Sequence, residues 1–98
     1  MLPHPEPSLQ TTTWQLDDLA VLRLAGALDA LTAPLALSSA QQMLIDRAPV
    51  LVVDLSQVSF IASAGIGALV RLRGQVEEHA GRLVLVAPAD GRVWRLLA

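Results

Sequence analysis

Short runs rich in β-branched and aliphatic residues alternate along this chain with longer segments whose apolar positions recur at helical spacing. Residues 11–16 (Thr-Thr-Thr-Trp-Gln-Leu) read as a strand, Asp17 and Asp18 supply turn chemistry, and residues 19–24 resume the strand as a hairpin. Gly26 and Asp29 punctuate the exit. Thr32 suits a helix cap, and Pro34 is tolerated in a first turn because the N–H groups there lack intrahelical partners. Leu35, Leu37, Met43, Leu44 and Ile45 give that helix its apolar material, with an end expected near Arg47 or Ala48 before Pro49. The unbroken apolar run 50–53 predicts a central strand covered on both faces. It is read as extending over residues 50–55 and leading through a short turn into a helix over about 63–80, which Gly81 stops as C′ residue. Residues 83–86 make a second buried strand. Pro88 and Asp90 start a last helix carrying Val93, Trp94, Leu96 and Leu97.

The order β-β-α-β-α-β-α predicts an α/β fold, a small mixed β-sheet of about four strands packed with helices. Residues 1–10, with Pro3, Pro5 and Pro7, read as a flexible N-terminal arm, and residues 11–98 as a single domain.

Composition narrows the function classes. Over 98 residues the apolar fraction is 53%, nearly all of it Leu, Ala and Val with three aromatic residues, which predicts a core of small aliphatics. Net charge is −2 with both signs interspersed, and all seven basic residues are Arg. Nucleic acid and anionic membrane surfaces are therefore not expected partners. The absence of cysteine excludes disulfides, thiolate catalysis and Cys-based zinc sites. No signal-peptide pattern and no membrane-length apolar run occur, so a cytoplasmic domain is expected.

The helix from Ser63 carries the candidate chemistry. At about 100° per residue, Ile66, Leu69, Leu72, Val76 and Ala80 share one arc and are expected to face the sheet. Gly67, Arg71, Gly74 and Glu78 gather on the other side. Each glycine there costs roughly 0.8–1 kcal/mol relative to Ala; close approach by a partner, or by another element of this domain, accounts for such a cost. Ser63 sits at the helix start, where a serine also serves as an ordinary N-cap. A phosphoserine there would carry close to two negative charges, favoured by the helix dipole by roughly 0.3–1 kcal/mol.

Several segments at fixed separation carry a family likeness: Leu24-Ala25-Gly26-Ala27-Leu28-Asp29 with Thr32-Ala33, then Asp54-Leu55-Ser56 with Val58 and Phe60, then Ser63-Ala64-Gly65-Ile66-Gly67 and Leu69. Over about residues 10–97 the chain resembles a STAS domain of the anti-sigma factor antagonist type, found in bacteria. That resemblance implies a small mixed sheet with packed helices and a partner that is an anti-sigma factor with serine kinase activity. It implies that phosphorylation of Ser63 blocks binding, that a phosphatase restores it, and that sigma-factor-dependent transcription is the output. The nucleotide belongs to the kinase partner, so no cofactor is implied for this chain. The resemblance puts Ser63 and Asp29 on the partner surface; together with the open face of the helix, the expected surface comprises Asp29, Ala62, Ser63, Ala64, Gly65, Gly67, Arg71 and Gly74.

Two features depart from the family pattern. The residue before the serine is commonly Asp and is Ala62 here, which removes a carboxylate from the site of kinase recognition. That feature favours an alternative, an unswitched STAS adaptor in a signalling or transporter-associated complex. Such domains also usually run through more helical sequence than Ala98 allows. A trimmed or naturally short member is the expectation, with Trp94, Leu96 and Leu97 partly uncovered and a homodimer or an exposed apolar patch as the consequence.

Other residues have simpler readings. Asp29 and Asp54 sit near strand ends, where turn or capping roles are common. His4 and His79 lack the spacing of a metal site, so no metal is expected. A serine between strand and helix invites comparison with the hydrolase nucleophile elbow, but Ile61 stands where that motif needs Gly, and no histidine is placed to act as base. An enzyme is not expected.

Overall fold

The computed structural model describes residues 9–45 and 49–86. Within them the order is β1 (Leu9–Leu16), β2 (Leu19–Leu28), α1 (Ala33–Ile45), β3 (Val50–Ile61), α2 (Ser63–Glu78) and β4 (Arg82–Val86). The four strands form one mixed sheet in the spatial order β1-β2-β3-β4. β1 and β2 are antiparallel through the Asp17-Asp18 turn, where Asp17 takes a positive φ of 52°. β3 and β4 each add in parallel. The last helix expected after Pro88 lies outside the described residues.

Because β2, β3 and β4 progress in one direction across the sheet, two right-handed crossovers bring both helices to the same face. There α1 and α2 pack on each other and on the sheet. The core is one cluster: Leu22, Leu24 and Leu28 of β2 and Leu51, Val53 and Leu55 of β3 meet Ala36, Ala40 and Met43 of α1 and Leu69, Leu72 and Val76 of α2. Small alanines on α1 let that helix lie close over the leucines of the sheet. Coverage of the central strand on both faces is not what forms, since Val50 and Val52 stay half-buried on the side away from the helices.

Four strand boundaries differ from the sequence reading, the least of them at β4, which starts at Arg82 and is exposed or half-buried along its length instead of buried. β1 takes in Leu9 and Gln10, and Leu9 joins the core. β2 continues through Gly26 to Leu28. β3 does not turn after Leu55 but runs on to Ile61 beside β2. Twelve residues of β3 match ten of β2, with register shifts between Arg23 and Ala25 and between Gly26 and Ala27. After each shift the side-chain alternation resets. Buried positions therefore pass from a spacing of two (Leu51, Val53, Leu55) to a spacing of three (Val58, Ile61). Gly26 meets the distortion with a φ of 109°, a conformation that disfavours residues with a Cβ.

The end of α2 is also shifted. Its C-cap is His79, and the C′ residue in left-handed conformation is Ala80 (φ 57°), not Gly81. Ala80 N–H donates to Glu77 O at 3.0 Å and Gly81 N–H to Val76 O at 2.9 Å, the two bonds of a Schellman motif. Ala80 is thus exposed rather than facing the sheet. Gly81 is needed for space: a Cβ there would meet Val76 Cγ1 at 3.1 Å and Pro49 O at 3.3 Å.

Candidate functional site: the ends of β2 and β3

The parallel strands β2 and β3 end side by side, β2 opening into the loop that leads to α1 and β3 running almost without a break into α2. Ala62 is the single residue between β3 and α2, and its N–H donates to Leu28 O at the end of β2 (2.9 Å). Ala62 is extended (φ −99°, ψ 171°) and occupies the N-cap, but its methyl group offers no acceptor to the first turn. Ser63 is therefore not the cap. It is the first helical residue, and it is exposed, as is Ala64. Ala62 O accepts from Gly65 N–H (2.9 Å) and Ile66 N–H (3.1 Å). Among the described residues the N–H groups of Ser63 and Ala64 have no backbone acceptor. Two unspent donors and the positive end of a helix dipole thus stand beside one hydroxyl.

The three glycines of α2 play different parts. Gly65 is buried, and a Cβ on it would fall 2.7 Å from Leu28 O, 2.8 Å from Leu28 Cγ and 3.0 Å from Ile61 Cγ1. It faces into the domain and seats the first turn of α2 against the end of β2. At Gly67 and Gly74 an added Cβ would meet nothing within 4 Å among the described residues. Both are exposed, so packing among the described residues does not explain them. Arg71 is exposed on the same helix, whose buried residues are Gly65, Leu69, Leu72 and Val76, with Ile66 partly buried against the core.

The neighbouring loop between β2 and α1 is fixed by a compact polar knot. Asp29 Oδ1 accepts the N–H groups of Leu31 (2.9 Å) and Thr32 (3.1 Å). Thr32 is only 1% exposed, and its hydroxyl donates to Ala27 O at 2.7 Å and accepts Asp29 N–H at 2.9 Å. Thr32 O receives the first backbone bonds of α1, from Leu35 and Ala36, but its side chain reaches back to the strand instead of forward into the helix. Asp29 is thus the residue whose carboxylate organises the loop. Its geometry holds Leu31 outward, 86% exposed.

Between the two helices runs an apolar groove of about 440 Å³. One wall is Ala30, Ala33, Pro34 and Leu37; the other is Ala64, Gly67, Ala68 and Arg71. The α1 wall and Leu31 escape a sequence reading that follows the glycines and the serine of one helix. The clue available is the run Ala30-Leu31-Thr32-Ala33-Pro34-Leu35, unusually apolar for a loop and a helix start.

Asp54 lies elsewhere, on the sheet face away from the helices. Burial pushes its carboxyl up, but hydrogen bonds from Ser56 and the Arg23 guanidinium (3.1 Å) outweigh that and hold it below the usual 3.8. Arg23 in turn lies over the Trp14 ring at 5.1 Å, so one chain of contacts ties β1, β2 and β3 on that face. His79, at the far end of α2, is about 24 Å from Ser63 by the helical rise and gives its Nδ1–H to Gln75 O at 2.8 Å. Among the described residues no group of three or more His, Asp or Glu side chains converges as a metal centre requires, and no helix is long and apolar enough to cross a membrane.

The model of the STAS domain matches residues 10–96, nearly the whole chain and every element just described. The chain belongs to the STAS domain family. A solved anti-sigma factor antagonist from Mycobacterium paratuberculosis is 30% identical, with a TM-score of 0.76 over 91% of this chain and 77% of that one. The anti-sigma factor antagonist SpoIIAA in its unphosphorylated form is 21% identical (TM-score 0.68; 89% and 83% covered). The phosphorylated Bacillus SpoIIAA superposes almost as well, at a TM-score of 0.67 with 21% identity (89% and 82% covered). At that identity these two speak for the fold. A search of the curated proteins found no match.

Proposed function

We propose that this STAS domain is an anti-sigma factor antagonist that binds a kinase-type anti-sigma factor through the first turns of α2 and is switched off by phosphorylation of Ser63. The observation that carries the reading is the setting of Ser63: exposed, first in its helix, beside two free N–H donors, on a face where Gly67 and Gly74 leave open space. Ala62, Ala64 and Arg71 complete the proposed contact surface, with Asp29 holding its neighbouring loop.

The energetics favour a switch that acts on the complex and not on the fold. A phosphate on Ser63 meets the helix dipole and the free donors, which stabilise it by roughly 0.3–1 kcal/mol. Buried against a partner without a counter-charge, the same group costs about 3–5 kcal/mol, a loss of roughly a hundredfold to several thousandfold in affinity. The second effect is several times the first. A phosphatase would then reset the surface, and the output would be release of a sigma factor for transcription.

The test mixes the chain with kinase-type anti-sigma factors and ATP. One phosphate, about 80 Da, should appear on Ser63, and the complex should dissociate as it does. Ser63→Ala should bind and resist modification. Ala62 favours a second reading, an adaptor without a switch, because the cap offers no carboxylate to a kinase. In that case the complex forms and no phosphate is added.

A further inference from the structure

The groove between α1 and α2 has a chemistry of its own. Among the described residues its lining is Ala, Pro, Leu and Gly apart from one charged residue, Arg71. Among the described residues Arg71 has no carboxylate within ion-pair distance, whereas Arg73, two positions on, is paired with Glu77 at 3.1 Å and Arg23 with Asp54. A second groove of nearly equal size, about 430 Å³ between β1 and α1, is lined by Thr11, Thr13, Gln15, Ser39 and Gln42 with Trp14 and Met43. Among the described residues that one offers hydrogen-bonding groups and no charge. The α1–α2 groove therefore differs in two ways at once: it wants apolar side chains along its length and one negative charge at its Arg71 end.

We propose that the α1–α2 groove receives an amphipathic helix of the partner, seated by apolar anchors between Pro34/Leu37 and Ala64/Ala68 and oriented by an acidic residue that pairs with Arg71. A helix laid in a groove presents anchors at i, i+3 or i+4, and i+7. Gly67, with open space where a Cβ would stand, lets the backbone of such a helix come close. Complementary charge at Arg71 sets direction and register, as rim charges do at interfaces. The inference rests on reading this surface as the partner contact, and it adds the chemistry of the occupant. It also gives the modification of Ser63 a second effect: Ala64 of the groove wall adjoins Ser63, so negative charge there opposes an acidic occupant.

The experiment uses the isotopically labelled full chain and two synthetic helical peptides. One carries leucines at i, i+3, i+4 and i+7 flanked by glutamates; the other has lysines in place of the glutamates. The expected result is that the glutamate peptide shifts the amides of Leu37, Gly67, Ala68 and Arg71 and binds at least fivefold tighter than the lysine peptide. Arg71→Glu should reverse that order. Ala64→Leu, which fills the groove from an exposed position, should weaken both peptides while the melting curve stays unchanged. Equal affinity for the two peptides, or shifts centred on another face such as the exposed side of the sheet, overturns the inference. The assay contains neither kinase nor ATP. Failure here with intact phosphorylation of Ser63 removes the groove proposal alone; peptide binding without phosphorylation counts against the switch and leaves the groove standing.

Discussion

Asp29 and Ala62 show how single atoms decide the shape of this surface. The Asp29 carboxylate serves as acceptor for two loop N–H groups through one oxygen. An amide keeps that oxygen and loses the charge. Asp29→Asn should therefore fold as the parent does, while Asp29→Ala should lose about 1 kcal/mol and release Leu31 from its fixed position, as denaturant melts and amide exchange would report. At the head of α2 the missing acceptor is equally readable. Ala62→Asp places a carboxylate at the N-cap and should stabilise the domain by about 0.5–2 kcal/mol. Ala80, held in the left-handed region at the other end, should gain about 0.5–1 kcal/mol on replacement by Gly. For a domain of this size 1 kcal/mol raises the melting temperature by roughly 4–8 °C, well within measurement.

At the scale of elements, the packing of α2 against β2 depends on Gly65. With Leu28 O only 2.7 Å from an added Cβ, Gly65→Ala has to push helix or strand aside. Overpacking of this kind costs typically 1–3 kcal/mol, and a chemical denaturation curve should show a midpoint shift without loss of cooperativity. Gly67→Ala, with open space around it, should move the same midpoint the other way, by roughly 0.8–1 kcal/mol of added stability. The two glycines stand two positions apart in one motif and look alike in the sequence, because a helical wheel assigns an angle but not the depth of the neighbouring strand. Strand order and helix placement are legible from apolar runs and turn residues. The second half of β3 is not, since two register shifts replace alternation with a spacing of three that resembles a turn entering a helix. The α1 wall of the groove is hidden for a related reason: only the crossover geometry brings residues 30–37 beside α2.

Across the whole molecule, the two faces of the sheet divide the work. One face carries the helices, the core and the proposed contact surface. The other carries the Trp14–Arg23–Asp54 chain, which ties three strands without helical cover among the described residues. Asp54 has its carboxyl held below the ordinary value, so its contribution to stability is fully present above about pH 4 and is lost as the pH falls through the lowered value. Acid melts of the parent should decline in that window more steeply than those of Asp54→Asn. That dependence belongs to the fold and should leave partner binding near neutral pH untouched. The separation of stability from binding is the central claim, and Ser63→Glu tests it most directly. Its melting temperature and its affinity for a kinase-type anti-sigma factor that binds the parent are to be measured on one preparation. A melting curve matching the parent together with affinity reduced at least tenfold is the predicted result; a variant that binds as tightly as the parent, or that loses binding only because it unfolds, contradicts the account.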